Sequence, residues 1–383
     1  MRRVNHLRLL VVATFLPGAV MSQGWVQTSA PTKNWQGIAM SADGSKLVAV
    51  ANLGGIFTST NFGGTWISNN APATSWAAVT SSADGTRMAA AYAGGIQTST
   101  NAGATWNPSA VPGYYWFSIK CSADGALLTA IGPAGNAVFA STNFGGSWKT
   151  NALPPGIYDG YSVGLSASGN RLVAGNNIGF VLISTNLGAN WSLTNRLSGS
   201  FNSIAAAADG ATLASVNIGG QVYCSTNAGV SWAATNLSSL GLVSIASSAD
   251  GSRLVTVGGS GSVATYAFST NSGAGWATNS QAGPVWRAVA SSADGSFLAS
   301  AASGGGIWVY RTVPTPRLNI APSGLIEKLS WTLPSTNFVL QQSADLQHCA
   351  SLPNSPNLNL LTLQNEVMVT PTNGRSFYRL KTP

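Results

Sequence analysis

Along residues 35–66, WQGIAMSADGSKLVAVANLGGIFTSTNFGGTW, short apolar runs alternate with clusters of Gly, Asn, Asp and Ser. Short runs bounded by turn residues predict strands rather than helices. The first strand is expected at 35–41 and is followed by an Asp-Gly turn, in which Asp favours turn initiation and Gly supplies a positive φ. A second strand follows at 46–51, then a Gly-rich connection at 52–55. The third strand is expected at 56–60, and a fourth begins at Thr65 and Trp66.

The pattern recurs six more times, and a period of 20–50 residues decides a fold before any other feature does. S-A-D-G ends at Gly44, Gly85, Gly125, Gly251 and Gly295, and altered forms end at Gly169 and Gly210, a spacing of 40–44 residues. S-T-N-x-G-x-x-W ends at Trp66, Trp106, Trp148, Trp191, Trp232 and Trp276, and the seventh unit lacks it. Three residues after each strand opening stands a β-branched residue, as strands favour: Ile38, Val79, Ile119, Val163, Ile204, Ile245 or Val289. The residue before it is small each time: Gly37, Ala78, Ser118, Ser162, Ser203, Ser244 and Ala288. Seven inner strands crowding around an axis would require that.

Four antiparallel strands repeated seven times predict an all-β chain, a seven-bladed β-propeller. Its tryptophans are expected to pack blade against blade. Trp25 precedes Trp35 by the distance at which Trp66 precedes Trp76, so residues 24–28 read as a fourth strand with no blade before it. This N-terminal strand should complete the seventh blade and remove its exposed edge.

The ends add three segments. Residues 1–22, with Arg2, Arg3 and Arg8 before the apolar run 9–20, read as a cleaved secretory signal peptide. The propeller then occupies 23–311, residues 312–316 (around VPTP) form a stiff linker, and 317–383 form a small β-sandwich-like module. Strands are expected there at 325–331, 338–342, 358–363, 367–370 and 376–380. No other stretch is apolar enough to span a membrane. The formal charge is +8, and without the three N-terminal arginines 15 basic residues face 10 acidic ones. That excess is dispersed and does not point to nucleic acid. Cys121, Cys224 and Cys349 have no metal or redox spacing and read as small buried hydrophobes.

The S-T-N-x-G-x-x-W element resembles the Asp-box, or BNR repeat, of sialidase-type propellers, written S-x-D-x-G-x-x-W. The match runs through Ser59, Asn61, Gly63 and Trp66, and through Asn101 and Trp106, Asn143 and Trp148, Asn186 and Trp191, Asn227 and Trp232, and Asn271 and Trp276. Asn stands at the Asp position in all six, and it can make the same turn contact. The resemblance implies a propeller of the sialidase, sortilin and photosystem II assembly-factor-like group. That group includes hydrolases, receptors and assembly factors, so it implies no single activity. The tail, with Trp331, FVLQQSADL at 338–346 and FYRL at 377–380, resembles a C-terminal β module of secreted environmental bacterial proteins.

Glycoside hydrolysis needs two carboxylates about the bond. The propeller has no Glu, and its Asp residues are turn residues of the repeat except Asp159. It has no His, because His6 lies in the signal and His348 in the tail, which removes His-based nucleophilic and metal chemistry. A non-catalytic domain without cofactor or metal is expected, with an Asp-box hydrolase centred on Asp159 as the alternative. Lys46, Arg87, Arg171 and Arg253 share one register and read as a solvated rim. Connections between blades open on the opposite face; the one at 149–160 is longer and carries Tyr158 and Asp159, and its neighbour carries Tyr114 and Tyr115. The residue after each strand opening varies freely: Gln36, Ala77, Phe117, Tyr161, Asn202, Val243 and Arg287. Tyr114, Tyr115, Phe117, Tyr158, Asp159, Tyr161 and Arg287 are therefore the candidate surface. It would suit a glycan or an extracellular or envelope protein, bound by a monomer that is secreted, periplasmic or at the cell surface.

Overall fold

The two turns of each repeat fold the unit into an antiparallel four-strand meander. The structure is a computed structural model. It describes residues 24–69, 71–132, 137–155, 160–237, 240–311, 318–323, 326–332, 339–343, 350–351, 357–359, 364–369 and 377–381. The signal-like segment, the linker, Tyr158, Asp159, His348 and Cys349 lie outside these residues.

Blade 1 pairs Trp35–Met40, Leu47–Ala51, Gly55–Ser59 and Ile67–Ser68 in sequence order. Blades 2 to 6 repeat that order, with inner strands Trp76–Ser81, Ser118–Cys121, Gly160–Leu165, Phe201–Ala206 and Leu242–Ser247. Blade 7 supplies only Trp286–Ser291, Phe297–Ala302 and Ile307–Arg311 from its own repeat. The N-terminal strand Val26–Gln27 pairs antiparallel with the last of these, Val26 opposite Val309 and Gln27 opposite Trp308. The ring closes as the sequence pattern requires, and the chain is an all-β, seven-bladed propeller.

Each blade packs both faces against its neighbours, so its middle strands carry apolar or small residues throughout. LVAVA and GIFTS of blade 1 are buried at every position. Between blades 1 and 2, Val48, Val50 and Ile56 meet Trp76, Val79 and Met88. Between blades 7 and 1, Phe297 and Ile307 meet Trp35, Ile38 and Leu47. The strand-opening Trp35, Trp76, Trp116 and Trp286 are fully buried. The tryptophans that end the S-T-N-x-G-x-x-W turns are only half-buried.

The S-A-D-G turns do more than reverse the chain. Ser41 Oγ donates to Asp43 Oδ1 at 2.5 Å and accepts from Lys46 N at 3.0 Å, while Asp43 Oδ1 also accepts from Ser45 N at 2.9 Å. The alanine links blade to blade. Ala42 N donates to Ala83 O, and the relay continues through Ala123, Ala167, Ala208, Ala249 and Ala293 back to Ala42, at 2.6–2.8 Å. The Ala side chains meet below this ring and narrow the channel at that end. The turn glycines sit at φ +66° to +75°, and a Cβ on Gly85 would lie 2.8 Å from Lys46 Cδ. This corrects the expectation for the rim cations. Lys46 lies across the Gly85 turn and donates to Asp84 O at 2.8 Å, and Arg87, Arg171 and Arg253 cross Gly125, Gly210 and Gly295 likewise. Their stems pack between blades instead of standing free in solvent.

In the S-T-N-x-G turns, Asn61 Oδ1 accepts from Ser59 Oγ at 3.0 Å and Thr65 N at 2.8 Å, and Ser59 Oγ accepts from Gly63 N at 3.0 Å. The same bonds recur at Asn101, Asn143, Asn186 and Asn227. At Asn271 they reach Ser269 and Gly275 N. The residue after each Asn is left-handed, from Phe62 at φ +59° to Ser272 at +56°, and the fixed Asn and Ser bonds hold it there.

In the tail, Asn319–Ser323, Ile326–Thr332, Gln364–Val369 and Asn357–Asn359 form one sheet; Ala350–Ser351, Val339–Ser343 and Phe377–Lys381 form another. Leu318, Leu329, Trp331, Leu340, Val367, Val369 and Tyr378 make one core from both. Asn319–Ser323 and Ala350–Ser351 were not expected from the sequence. Glu366 pairs with Lys328 at 3.2 Å.

Closure rests on Trp25, which is 6% exposed and packs on Trp286, Tyr266 and Tyr310 at ring separations of 4.6–6.0 Å. Trp25→Ala should cost about 3–5 kcal/mol in denaturant unfolding, as buried aromatic truncations do. The exposed neighbour change Val26→Thr should cost under about 0.5 kcal/mol. Equal small effects would mean that this strand does not hold the ring shut.

The turn carboxylates differ in environment. Burial opposes ionisation of Asp84 and Asp124, but hydrogen bonds from Ser82 and Thr86, and from Ser122 and Ala126 N, outweigh it and hold both below the ordinary range. At Asp294 burial wins: Oδ2 is cut off from solvent, and the carboxyl is pushed up to about 6. A raised folded-state value favours the neutral form, so this group stabilises the fold at acid pH. That contribution is lost as pH rises from about 4 to about 6, a change of about 3 kcal/mol at most. Asp294→Asn should therefore melt at or above the parent at pH 7, with the gap shrinking toward pH 4 in a series of thermal melts. A pH-independent gap would contradict a titrating Asp294.

Candidate functional site

Six of the seven inner strands begin with a register shift against the second strand, for example between Trp35 and Gly37 and between Trp286 and Ala288. A bulge leaves one residue unpaired and re-aims its side chain. The residues skipped are Gln36, Ala77, Tyr161, Asn202, Val243 and Arg287, and Phe117 holds the same register just before the blade 3 strand. These are the positions that vary freely in the repeat, and the bulge is the physical reason. Released from the ladder and from the inter-blade cores, they are not constrained to be apolar or small.

Gln36, Ala77, Phe117, Asn202, Val243 and Arg287 line one recess of about 140 Å³ at the mouth of the central channel, opposite the S-A-D-G turns. Residues up to 251 apart in sequence thus share one opening. The ring closure brings Phe117 and Arg287 together there. Tyr115, 52% exposed, stands beside them with its ring edge-on to Phe117 at 5.9 Å. Tyr114, 36% exposed, lays its ring edge-on to Trp116 at 5.9 Å and tilted on Phe139 at 5.5 Å, against the edge of the blade 3 core. Tyr161 lies in the blade 4 inner strand at the register of Phe117. Lys149–Ala152, the first residues of the connection expected at 149–160, form the outer strand of blade 3.

A further residue of this recess escaped the sequence reading. Lys120 follows Ile119 on the blade 3 inner strand, where the other blades carry Ala39, Thr80, Gly164, Ala205, Ala246 and Ala290. The detectable signal was a single charge in a register otherwise small and uncharged. Its side chain reaches the channel space and is half-buried there, and desolvation holds its ammonium below the ordinary lysine range. Next to it, Cys121 N donates to Thr80 Oγ1 at 3.2 Å, and Thr80 Oγ1 lies 3.3 Å from Cys121 Sγ. Burial pushes the Cys121 thiol up to about 11 and the Cys224 thiol up to about 12, so neither is a thiolate at neutral pH.

Asp43, Asp84, Asp124, Asp209, Asp250 and Asp294 stand on the turn side. The mouth with Lys120 and Arg287 is lined by no carboxylate among the described residues.

No family model and no curated protein matches the chain. Solved structures do. A structure of YCF48 bound to D1 peptide aligns with a TM-score of 0.58 at 16% identity, over 78% of this chain and 100% of that one. YCF48 from Cyanidioschyzon merolae aligns at 0.58 and 15%, over 75% and 98%. A chain of Kuenenia stuttgartiensis hydrazine synthase aligns at 0.61 and 18%, over 78% and 99%. The fold is that of these propellers. At such identities the likeness carries the fold and leaves the ligand open.

The inward and outward tyrosines should separate in experiment. Tyr114→Ala removes core contacts and should lower stability by about 1–2 kcal/mol, while Tyr115→Ala should stay within about 0.5 kcal/mol of the parent. Urea unfolding of both variants checks this; a reversed order would contradict the inward packing of Tyr114.

Proposed function

We propose that this chain is an exported binding module that holds a segment of a protein partner across the channel mouth bearing Tyr115, Phe117 and Arg287. One observation carries the reading: the repeat is free to vary at this register, Gln36, Ala77, Phe117, Asn202, Val243 and Arg287 line one mouth, and Phe117 and Arg287 give that mouth an aromatic and a cationic group. Aromatic side chains and arginine are the residues that most often anchor partners at interfaces. Export rests on the basic and apolar pattern of residues 1–22, and places the partner in the envelope or outside the cell. The six S-T-N-x-G-x-x-W turns are read as Asp-box turns with Asn in the Asp place, because Asn61 and its counterparts make the side-chain-to-backbone bonds such a turn needs. YCF48, of similar fold, has been captured with a D1 peptide, which supports a peptide segment over a glycan as the occupant.

Peptide-display selection on the purified chain, run beside a glycan array, tests this. Selected peptides should bind at least about ten-fold more weakly to Phe117→Ala and Arg287→Ala, the loss expected of an anchor residue. Thermal melts of both variants should match the parent. Glycan binding without peptide binding, or peptides indifferent to both substitutions, would overturn the reading.

A further inference from the structure

Four inner strands carry serine where the other three carry Gly or Ala, and crowding alone does not explain the serines. Each serine oxygen accepts a backbone N–H from the next blade: Val163 N to Ser118 Oγ at 3.4 Å, Ile204 N to Ser162 Oγ at 3.0 Å, Ile245 N to Ser203 Oγ at 3.4 Å and Val289 N to Ser244 Oγ at 3.2 Å. A hydroxyl that accepts still has a proton to donate. Among the described residues no acceptor lies within hydrogen-bonding distance of these four protons. All four serines line the recess at the channel mouth.

At the other three junctions Ala288, Gly37 and Ala78 occupy the serine register. The amides of Ile38, Val79 and Ile119 therefore face residues that have no hydroxyl to cap them. A Cβ on Gly37 would come within 3.4 Å of Ala78 Cα and Val79 Cγ1, so that junction is already closed by backbone. Into the same space reaches Lys120, with no hydrogen bond or ion pair among the described residues, and Arg287 stands at its rim. A half-buried ammonium in a narrow recess without a counter-charge is partly desolvated, and a bound anion would offset that cost. Hydroxyl donors beside a cation in a small shielded space strengthen such binding, because charge-assisted bonds gain most where water is excluded.

We propose that this mouth of the channel is an oxyanion site that receives a carboxylate presented by the bound partner. Lys120 supplies the counter-charge, Arg287 guides the group in from the rim, and the serine hydroxyls donate from the wall. The inference rests on the partner reading of the same face, but it is tested with simple anions so that either can fail alone.

The probes are glutarate, N-acetylglutamate, phosphate and sulfate, titrated calorimetrically into the full chain at constant ionic strength. The carboxylates should bind saturably and raise the melting temperature. Lys120→Met should weaken them at least about ten-fold and Arg287→Gln by roughly three-fold, as removal of a half-buried and of an exposed charged partner would. Lys149→Met, exposed and outside the channel, should bind as the parent does. Lys120→Met should also melt at or above the parent without ligand, since it removes an unpaired desolvated cation. If that variant melts lower, the ammonium is neutralised within the protein and the proposal falls. It falls also if no carboxylate binds the parent, if binding survives Lys120→Met, or if only phosphate or sulfate binds. Anion binding without any peptide binding would leave the oxyanion site standing and remove the peptide-partner reading alone.

Discussion

Seven backbone hydrogen bonds, from the alanine N–H of one S-A-D-G turn to the alanine C=O of the next, tie the inner ends of the blades into a closed circle. A sheet whose inner strand faces an axis has no further strand to pair with there, and an unpaired buried amide is expensive. The circle satisfies these groups at one end of the channel. It also fixes the approach of each blade to the next, because the N–H and C=O of one residue serve two neighbours. The repeat keeps alanine there even where its serine or aspartate is lost, at Ala167 and Ala208.

From that circle outward the packing follows. The stems of Lys46, Arg87, Arg171 and Arg253 lie over the glycine of the following turn, and the apolar cores between blades rise from there to the half-buried tryptophans. At the far end of the channel the circle has no counterpart. Four junctions close through serine hydroxyls and three through nothing larger than alanine, and the strands start with bulges. The molecule is therefore tightly specified at one end of its axis and loosely at the other. Chemistry that is not structural collects at the loose end: Phe117, Arg287 and the half-buried ammonium of Lys120.

Most of the architecture was legible because it is local and repeated. Alternation, β-branched positions and two kinds of turn give the strands, and the displaced spacing of Trp25 shows which strand closes the ring. The site was legible only in part. The variable register held Phe117 and Arg287, but a bulge cannot be seen in a one-dimensional pattern, so the reason for the variation was hidden. Tyr114 and Tyr115 are adjacent and look alike in sequence, yet one ring turns into the Trp116 and Phe139 cluster and the other faces solvent. Lys46 and Arg87 read as solvated because their blade-to-blade partners stand a whole repeat away.

The sequence by itself determined the strand count of the propeller, its seven-fold repetition and the identity of the closing strand, since each depends on residues within one period of one another. Only the tertiary structure decided that Lys120 shares one opening with Gln36, Phe117, Asn202 and Arg287, and that a bulge frees the variable register. The physical reason is ring closure. It converts positions separated by tens to hundreds of residues into neighbours around an axis, and it assigns the two ends of each strand to opposite faces. A linear pattern records which residues are equivalent, but not what equivalent residues surround.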